Sequence, residues 1–394
     1  MADSQPGLQP VGTEELAYLT MHRQHLLTSA PLPPQELIQH LVGLQAQNPW
    51  SWYSGFFRRT EDVTPEAVSQ RLGDRSLVRM SAMRATIHLM TPQDAASLRF
   101  HTQIVHQRTL RSSFGRDLKD VNLDDVTVYA QALLEERPRT LKELGAELRW
   151  KWPDTKPSSL AMIARFMLPL VQIPPRGQWG QSGPIAYTTL DAWVGQRLEP
   201  QHSIEQIILR YLAAFGPATI MDFQTWSGLT RCKPHFESLS EHLTQMRTDH
   251  GQVLYDLSEI ERPTPPAGGP IPVRFLYDYD NLLLAYKDRS RFITPAYSEM
   301  QRRLDGTTLQ AILVSGKTVG MWTHHTDGKS SLLEARLCER LSSAVLESVE
   351  NEARELARWF SSGTDVAVRR WCQGVEATWG SPASSRLKDS VGVR

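Results

Sequence analysis

The stretch Leu41-Val42-Gly43-Leu44-Gln45-Ala46-Gln47-Asn48-Pro49-Trp50 decides how the first part of the chain folds, because a helix must stop inside it. Apolar residues at helical spacing predict a helix over 34–44, whereas the residue before Pro49 is biased towards extended backbone. Two glutamines separated by one residue project to the same side only when the backbone between them is extended. We therefore predict that Ala46 is not helical and that Gln45 and Gln47 form one candidate reactive site.

The elements around this stretch follow the order of a winged helix, in which helices precede a short hairpin. Helices are predicted at 14–27, 34–44, 50–58 and 65–72, with hairpin strands at 77–80 and 84–89. The same order recurs with helices at 124–136, 140–148 and 158–169 and strands at 171–173 and 185–188, and again with helices at 204–215, 220–227 and 234–245 and a strand at 252–255. The predicted fold class is α+β, mostly helical, with about three tandem winged-helix units.

Changes in composition predict the domain boundaries. A disordered tail is expected at 1–13, followed by winged-helix units at 14–121, 122–200 and 201–262, and by a proline- and glycine-rich linker at 263–270. A β-rich region with a C-terminal helix is expected at 271–380, and a polar tail at 381–394. In the β-rich region we predict strands at 273–277, 311–315 and 319–324, a turn at Gly316-Lys317, and a long helix that begins near 331 or 341 and ends at 360.

Composition and missing motifs exclude several functional classes. The chain of 394 residues is 40% hydrophobic, and its 43 Lys and Arg balance 43 Asp and Glu, as in an ordinary soluble protein. Its three cysteines are too scattered for a disulfide framework, and no export signal or membrane-spanning run is seen, so a cytoplasmic protein is expected. Nucleotide-binding, zinc-protease and serine-hydrolase motifs are absent, so we expect no cofactor and no metal.

Basic residues cluster between Arg75 and Lys119. This segment holds eight arginines and lysines, two aspartates and three histidines. A solvated helical face could give the same count, but the cluster makes an anionic partner plausible.

Several motifs, spread from 14 to 360, are similar to one known family. They are LVGLQAQNPWSWYSGFFRR (41–59), SLVRMSAMRATIHLMTPQDA (76–95), PPRGQWGQSGP (174–184), TTLDAWVG (188–195), FGPATIMDFQTWSGL (215–229), YDYDNLLLAYKDRSR (277–291) and GKTVGMWTHH (316–325). The chain resembles the winged-helix DNA glycosylases typified by the azinomycin-resistance protein AlkZ and the crosslink-repair enzyme YcaQ. Each motif is weakly specific alone, whereas their number and order are hard to obtain by accident.

The resemblance implies a DNA glycosylase that hydrolyses the N-glycosidic bond, with Gln45 and Gln47 as its catalytic Gln-x-Gln pair. An amide cannot accept a proton from water, so the substrate should be a base that is already cationic, such as N7-alkylguanine or N3-alkyladenine, including bulky adducts and interstrand crosslinks. We expect the two amide carbonyls to stabilise the sugar cation and to hold the water. No lysine precedes Lys119, so the enzyme should be monofunctional, without lyase activity.

Seven other residues are expected to contact DNA. Arg84 and His88 lie at spacing four on a predicted wing strand, although His88 could equally be a partly buried wing residue. Family members commonly carry a proline and a glutamate where this chain has Tyr277 and Asp278, so Asp280 is the preferred acid of that motif. The expected DNA-binding residues are Asn48, Arg84, His88, Asp280, Lys287, Arg289 and Arg291.

The resemblance implies a bacterial, nucleoid-associated monomer that binds double-stranded DNA with alkylated purines in a concave, C-shaped cradle. Because a crosslinked base cannot be flipped into a closed pocket, the site should be open. A non-catalytic winged-helix regulator or lesion-binding protein is the alternative, since this fold hosts both kinds of function. Self-resistance to a DNA-alkylating natural product and sequestration of such a compound also stay open.

Overall fold

The computed structural model describes residues 8–265, 271–303, 310–326, 330–361, 365–372 and 375–378. Most of the predicted linker, 266–270, and the whole of the predicted C-terminal tail, 381–394, lie outside the described residues.

The helices are α1 (Thr13–Arg23), α2 (Pro34–His40), α3 (Pro65–Gly73), α4 (Pro92–His101), α5 (Gln103–Phe114), α6 (Leu123–Glu136), α7 (Leu141–Arg149), α8 (Pro157–Met167), α9 (Leu190–Val194), α10 (Ile204–Phe215), α11 (Ile220–Ser227), α12 (Lys233–Ser238), α13 (Asn281–Leu284), α14 (Pro295–Arg303) and α15 (Ser343–Ser361). The strands are β1 (Gln9–Val11), β2 (Leu44–Gln45), β3 (Val78–Ser81), β4 (Ile87–Met90), β5 (Arg139–Thr140), β6 (Leu170–Gln172), β7 (Ala186–Thr189), β8 (Leu243–Thr248), β9 (Val253–Leu257), β10 (Arg274–Leu276), β11 (Gln310–Val314), β12 (Lys317–Thr326), β13 (Ser330–Leu337), β14 (Asp365–Cys372) and β15 (Val375–Thr378). The predicted α+β class is confirmed.

The helices begin where their capping residues stand. Thr64 accepts a hydrogen bond from the backbone of Ala67 at the start of α3. Thr140, Ser203 and Thr219 form capping boxes at α7, α10 and α11, with an acid or amide three residues later that bonds back to the cap. These local signals explain why α10 and α11 have the bounds that the sequence predicts.

Within the described ranges, the strands form three sheets, and the one that carries the candidate site has the order β2-β4-β3-β6-β7-β5. The hairpin β3-β4 and the pair β6-β7 are the first and second predicted wings. They join edge to edge through the antiparallel pairing of Met80 with Val171. Two segments predicted as separate wings therefore share one sheet.

The other two sheets are a small one of order β1-β8-β9 and a larger one of order β10-β11-β12-β13-β14-β15. Helix α15 packs its apolar face, including Val349, Ala353 and Leu356, against the larger sheet. No helix of the described ranges combines the length and the apolar character that a membrane crossing requires.

Several predicted elements differ in the structure. The helix predicted at 50–58 is a 3-10 turn at Ser51–Gly55, and the helix predicted at 234–245 is the short α12 followed by strand β8. Residues 9–11 of the predicted disordered tail form β1, which pairs in parallel with β8, while residues 1–7 lie outside the described part. The turn between β11 and β12 is Ser315-Gly316, one residue earlier than predicted, because both adopt positive φ.

A compact apolar cluster supports the Gln-x-Gln segment. Leu44 and Ala46 are buried in it, together with the stacked rings of Trp52 and Tyr53, whose centroids are 4.0 Å apart. Tyr277, from the motif between β10 and α13, is fully buried in the same cluster. Since alternate residues of extended backbone face opposite sides, this core also determines where the glutamines point.

Candidate active site

A sharp turn delivers the chain from α2 into β2. Val42 and Gly43 have φ of 53° and 91°, and a Cβ atom at Gly43 would meet the Met90 side chain at 2.8 Å. The Gly43 carbonyl accepts a 2.7 Å hydrogen bond from the buried amide of Asn281. The glycine is therefore needed both for its conformation and for close packing, and it places β2 alongside β4.

Ala46 is not helical, as predicted. Its backbone N–H donates to the carbonyl of Ile87 at 2.7 Å, and its carbonyl accepts from the buried Arg79 guanidinium at 2.9 Å. Because Leu44 and Ala46 face the core, Gln45 and Gln47 project away from it on the opposite side. Gln45 is only 4% exposed, whereas Gln47 lies open to solvent.

The two amides are held by donors. The Oε1 atom of Gln45 accepts from Arg84 Nη2 at 2.5 Å, and the Oε1 atom of Gln47 accepts from the backbone N–H of Ile87 at 3.2 Å. A guanidinium and a backbone N–H can only donate, so the orientation of both amides follows from chemistry. Each carbonyl oxygen therefore has one protein partner, and the expectation that the two carbonyls stabilise the sugar cation and hold the water stays a prediction.

Arg84 does not lie on a strand, contrary to the prediction for 84–89. It has φ of 54° inside the 3-10 turn Met83–Ala85, and its guanidinium donates to the Trp226 carbonyl as well as to Gln45. Burial lowers the pKa of Arg84 to about 10, so it remains a cation at neutral pH. In this structure the guanidinium bonds Gln45 and the Trp226 carbonyl, and its predicted contact with DNA stays a prediction.

His88 is the cross-strand partner of Gln45 on β4 and is fully buried. Its Nδ1–H donates to the Thr86 carbonyl at 2.9 Å, and burial lowers its pKa to about 3. A neutral imidazole without exposed surface cannot reach a phosphate, so the predicted DNA contact of His88 is wrong in this structure.

Asp280 and Arg291 are also structural. The Asp280 carboxylate accepts from Arg59 Nη2 at 2.8 Å and from the backbone of Leu282 at 3.0 Å, and it has no exposed surface. Arg291 donates to Thr20 and to the Pro217 carbonyl from a site that is 7% exposed. Both were expected to contact DNA, and their burial contradicts that expectation.

The side chains of Asn48, Lys287 and Arg289 are exposed, so their predicted DNA contacts stay predictions. The Asn48 Oδ1 atom accepts from the backbone of Trp50 at 3.1 Å and thereby starts the 3-10 turn after the glutamines. The basic cluster at 75–119 also contains both buried and exposed residues. Arg79 and Arg99 are buried, whereas Arg108, Arg111, Arg116 and Lys119 are exposed on α5 and the segment after it.

Asp278, an acidic residue with no predicted role, lies next to the site. The Asp278 Oδ1 atom accepts a 2.5 Å hydrogen bond from Ser51 Oγ, four residues after Gln47. Burial raises the pKa of Asp278 above its usual range. The two-residue repeat of acids in the motif Tyr277 to Asp280 was the available signal, but its departure from the family pattern pointed to Asp280 instead.

Comparison with known proteins decides the family. The sequence profile of the family described as "DNA glycosylase AlkZ-like" matches residues 38–359, most of the chain. The chain belongs to the AlkZ-like family. Its resemblance to these glycosylases, read from scattered motifs, is thereby confirmed, and the protein is a DNA glycosylase.

Two matches, one by sequence and one by structure, are to an AlkZ-like glycosylase of Streptomyces sahachiroi. One, named as an interstrand DNA cross-link repair glycosylase, is 25% identical over 362 residues, which cover 86% of this chain and 94% of the relative. The solved structure of DNA glycosylase AlkZ from the same organism is 23% identical, covers 92% of this chain and 100% of its own, and has a TM-score of 0.74. At this identity, the structural match shows that the two proteins share a fold.

Proposed function

We propose that the protein is a monofunctional hydrolase of cationic alkylated purines in duplex DNA. Its substrates are N7-alkylguanine and N3-alkyladenine, including bulky adducts, and the name of the S. sahachiroi relative extends them to interstrand crosslinks. The observation that carries the proposal is the pair of amides at the open end of β2, of which Gln47 is exposed and Gln45 is buried beneath it. An open site suits a base that a crosslink holds in the duplex.

The orientation of the amides supports a role for their N–H groups as hydrogen-bond donors to the departing base. Each carbonyl accepts a hydrogen bond from a protein donor, so the NH₂ groups of Gln45 and Gln47 have their N–H bonds available for DNA. As the C1′–N9 bond breaks, its electron pair moves to the base and neutralises the cationic ring. In N7-alkylguanine, whose N3 is unmodified, an amide N–H that donates to N3 stabilises the electron density developing on the base.

Asp278 supplies the proton acceptor that two amides lack. Water attacks C1′ from the side opposite the departing base, its oxygen forms the new bond to C1′, and one of its protons passes to the Asp278 carboxylate. The negative charge also stabilises the oxocarbenium-like sugar. The hydrogen bond from Ser51 holds this carboxylate beside the segment that follows Gln47.

A pH profile tests the role of Asp278. Only the ionised carboxylate can accept a proton. Because the pKa of Asp278 is raised, kcat/KM for base release should begin to fall at a pH above the usual pKa of an aspartate as the solution becomes more acidic. Asp278→Asn should lower the rate about 100-fold and remove this acidic limb. Asp278→Glu should restore part of the rate and part of the acidic limb. Asp154→Asn, at an exposed site, should change neither the rate nor the pH profile. An unchanged acidic limb in Asp278→Asn would exclude the role.

The function itself is tested with duplexes that carry a single N7-methylguanine, a bulky N7-guanine adduct or an N7 crosslink. We expect free base and an abasic site, with strands that remain whole until alkali is added. Unmodified duplex is the control. Tight binding without abasic product on all three duplexes would favour the non-catalytic lesion binder, and trapping of the protein on DNA by borohydride would contradict a monofunctional enzyme.

The architecture proposed for DNA binding is three winged-helix units, 14–121, 122–200 and 201–262, that form a concave cradle together with 271–380. The exposed basic residues of α5, Arg108 and Arg111, and the exposed pair Lys287 and Arg289 support contacts to the phosphate backbone. Such contacts depend on salt and are independent of sequence, as a lesion-specific enzyme requires.

A further inference from the structure

Arg84 links the end of a helix to the candidate site. Its guanidinium donates through Nη1 to the carbonyl of Trp226, in the last turn of α11, and through Nη2 to Gln45 Oε1 at 2.5 Å. The last carbonyls of a helix have no partner within that helix and carry a partial negative charge. The guanidinium therefore lies between the helix end and the amide and satisfies an acceptor of each.

The backbone around Arg84 fixes the place from which its side chain extends. Arg84 and Ala85 have φ of 54° and 55°, in a region that side-chain-bearing residues rarely adopt. Gly228, which follows α11 with φ of 82°, packs directly on this turn, because a Cβ atom there would lie 3.2 Å from both the Cα and the N atom of Arg84. Only a glycine permits this approach, so the end of α11 holds the Arg84 backbone as well as its guanidinium.

The contact with Arg84 selects one orientation of the Gln45 amide. A guanidinium has five N–H donors and no acceptor, so Oε1 rather than Nε2 of Gln45 must face it. Rotation of the buried amide by half a turn would set N–H groups against N–H groups and leave the cation with one acceptor fewer. The NH₂ group of Gln45 therefore points away from Arg84.

The charge of Arg84 also acts on this amide. Hydrogen bonds from an ionised donor are stronger than those between neutral groups, and an amide that accepts one becomes more polarised, so its own N–H groups donate more strongly. Other buried guanidinium groups pair with aspartates, as Arg23 and Arg59 do, or bond backbone carbonyls, as Arg99 does. Arg84 differs from these three because one of its acceptors is a side chain of the candidate site.

We propose that Arg84 is a positioning residue for base release. It acts through Gln45: it engages the carbonyl, leaves the N–H groups free to donate to the departing base, and strengthens these donors by its charge. The inference rests on the proposed function and deepens it, because it adds the residue that sets the orientation of one amide. Contact of Arg84 with a DNA phosphate is the alternative, and it predicts a loss of affinity rather than of rate.

A double-variant cycle tests the proposal through the single-turnover rate of base release from a duplex that carries N7-methylguanine. Arg84→Ala should lower this rate about 10-fold, because the amide loses a hydrogen bond from a charged donor. Adding Arg84→Ala to Gln45→Ala should change the rate by less than about 2-fold, because no amide is left for Arg84 to act on. Arg197→Ala is the matched control, since Arg197 is exposed and pairs with Glu199, and it should leave the rate unchanged.

Two further measurements distinguish positioning from general support of the fold. Guanidinium chloride at millimolar concentration should restore part of the rate in Arg84→Ala but none in the double variant, with sodium chloride at the same concentration as the control. The Kd of Arg84→Ala for an unmodified duplex, and its dependence on salt, should equal those of the wild type. Arg84→Lys keeps the charge with a different donor geometry and should lose less rate, and the cycle is repeated with it if Arg84→Ala does not fold.

The outcomes separate the two proposals. Absence of N7-methylguanine release by the wild-type protein would overturn the proposed function and the role of Arg84 with it. Release by the wild type, together with losses for Arg84 and Gln45 that multiply in the double variant, would overturn the role of Arg84 alone. A Kd for unmodified duplex that weakens in Arg84→Ala as much as the rate falls would assign Arg84 to a DNA phosphate, which also contradicts the inference.

Discussion

Gln47→Ala should lose at least about 100-fold in the single-turnover rate of base release from an N7-alkylguanine duplex, with little change in the Kd for that duplex. The exposed amide of Gln47 makes one hydrogen bond to the protein, from the backbone of Ile87. Its removal deletes a group at an exposed position, where water can replace it as the acceptor of the Ile87 N–H. Rates and affinities are measured on the same oligonucleotide at one salt concentration.

Gln47 is a cleaner test than Gln45. The Gln45 carbonyl is bonded to Arg84, and loss of that acceptor would leave a half-buried guanidinium with one partner fewer, so Gln45→Ala should also cost stability, about 1–3 kcal/mol. If the two amides act on one base, the double variant should be scarcely slower than the worse single one. Gln131→Ala, on the exposed face of α6, is the matched control. Wild-type release by Gln47→Ala would remove the amide pair from the mechanism.

The amide site was predictable because its geometry follows from local rules. Pro49 disfavours helix at the residue before it, and an extended Ala46 puts Gln45 and Gln47 on one side. Helices with a strong cap, such as α10 after Ser203, were predictable for the same reason. In each case the determining contacts join residues that are close in sequence.

The rest of the site depends on contacts between distant parts of the chain. Ser51 meets Asp278 across 227 positions, and Arg84 reaches the Trp226 carbonyl across 142. A positive φ at Arg84 turns its side chain towards Gln45, which strand periodicity cannot predict. The edge pairing of β3 with β6 is equally non-local, since a hairpin signal does not specify the neighbour of a strand.

Burial also separated charges that the sequence grouped together. The cluster over 75–119 suggested one basic surface, yet Arg79 and Arg99 bond backbone carbonyls inside the protein. Arg291 and Asp280 similarly hold elements together. Charge counted along a sequence therefore overestimates the charge that DNA meets, and the exposed residues of α5 are the better candidates.

The protein should be markedly less stable below about pH 6, because two histidines are buried in the neutral form. His88 and His106 have no exposed surface, and burial lowers the pKa of each to about 3. His106 Nδ1–H donates to the Thr102 carbonyl at 3.0 Å, and its Nε2 lies 2.8 Å from Ser81 Oγ, so both ring nitrogens of the neutral imidazole have partners.

The direction of this pH dependence follows from the lowered pKa values. In the unfolded chain both imidazoles bind a proton near the ordinary histidine pKa of 6.5, whereas in the folded protein they do not until about pH 3. Stability is therefore fully present above about pH 6.5 and is lost as the pH falls towards the folded value. Each histidine contributes a slope of about 1.4 kcal/mol per pH unit, so the pair should remove roughly 4 kcal/mol between about pH 6.5 and about pH 5.

Urea unfolding at a series of pH values between about pH 7 and about pH 5 measures the effect, in a range above the pKa of ordinary carboxylates. His106→Gln should be less stable at neutral pH but should reduce the slope of the unfolding free energy by about 1.4 kcal/mol per pH unit. His242→Gln, at an exposed position, should leave the slope as it is. A wild-type free energy that stays constant over this range would contradict neutral burial. His88 is the cross-strand neighbour of Gln45. A constant free energy of unfolding would therefore also mean that the imidazole beside Gln45 is not buried in its neutral form.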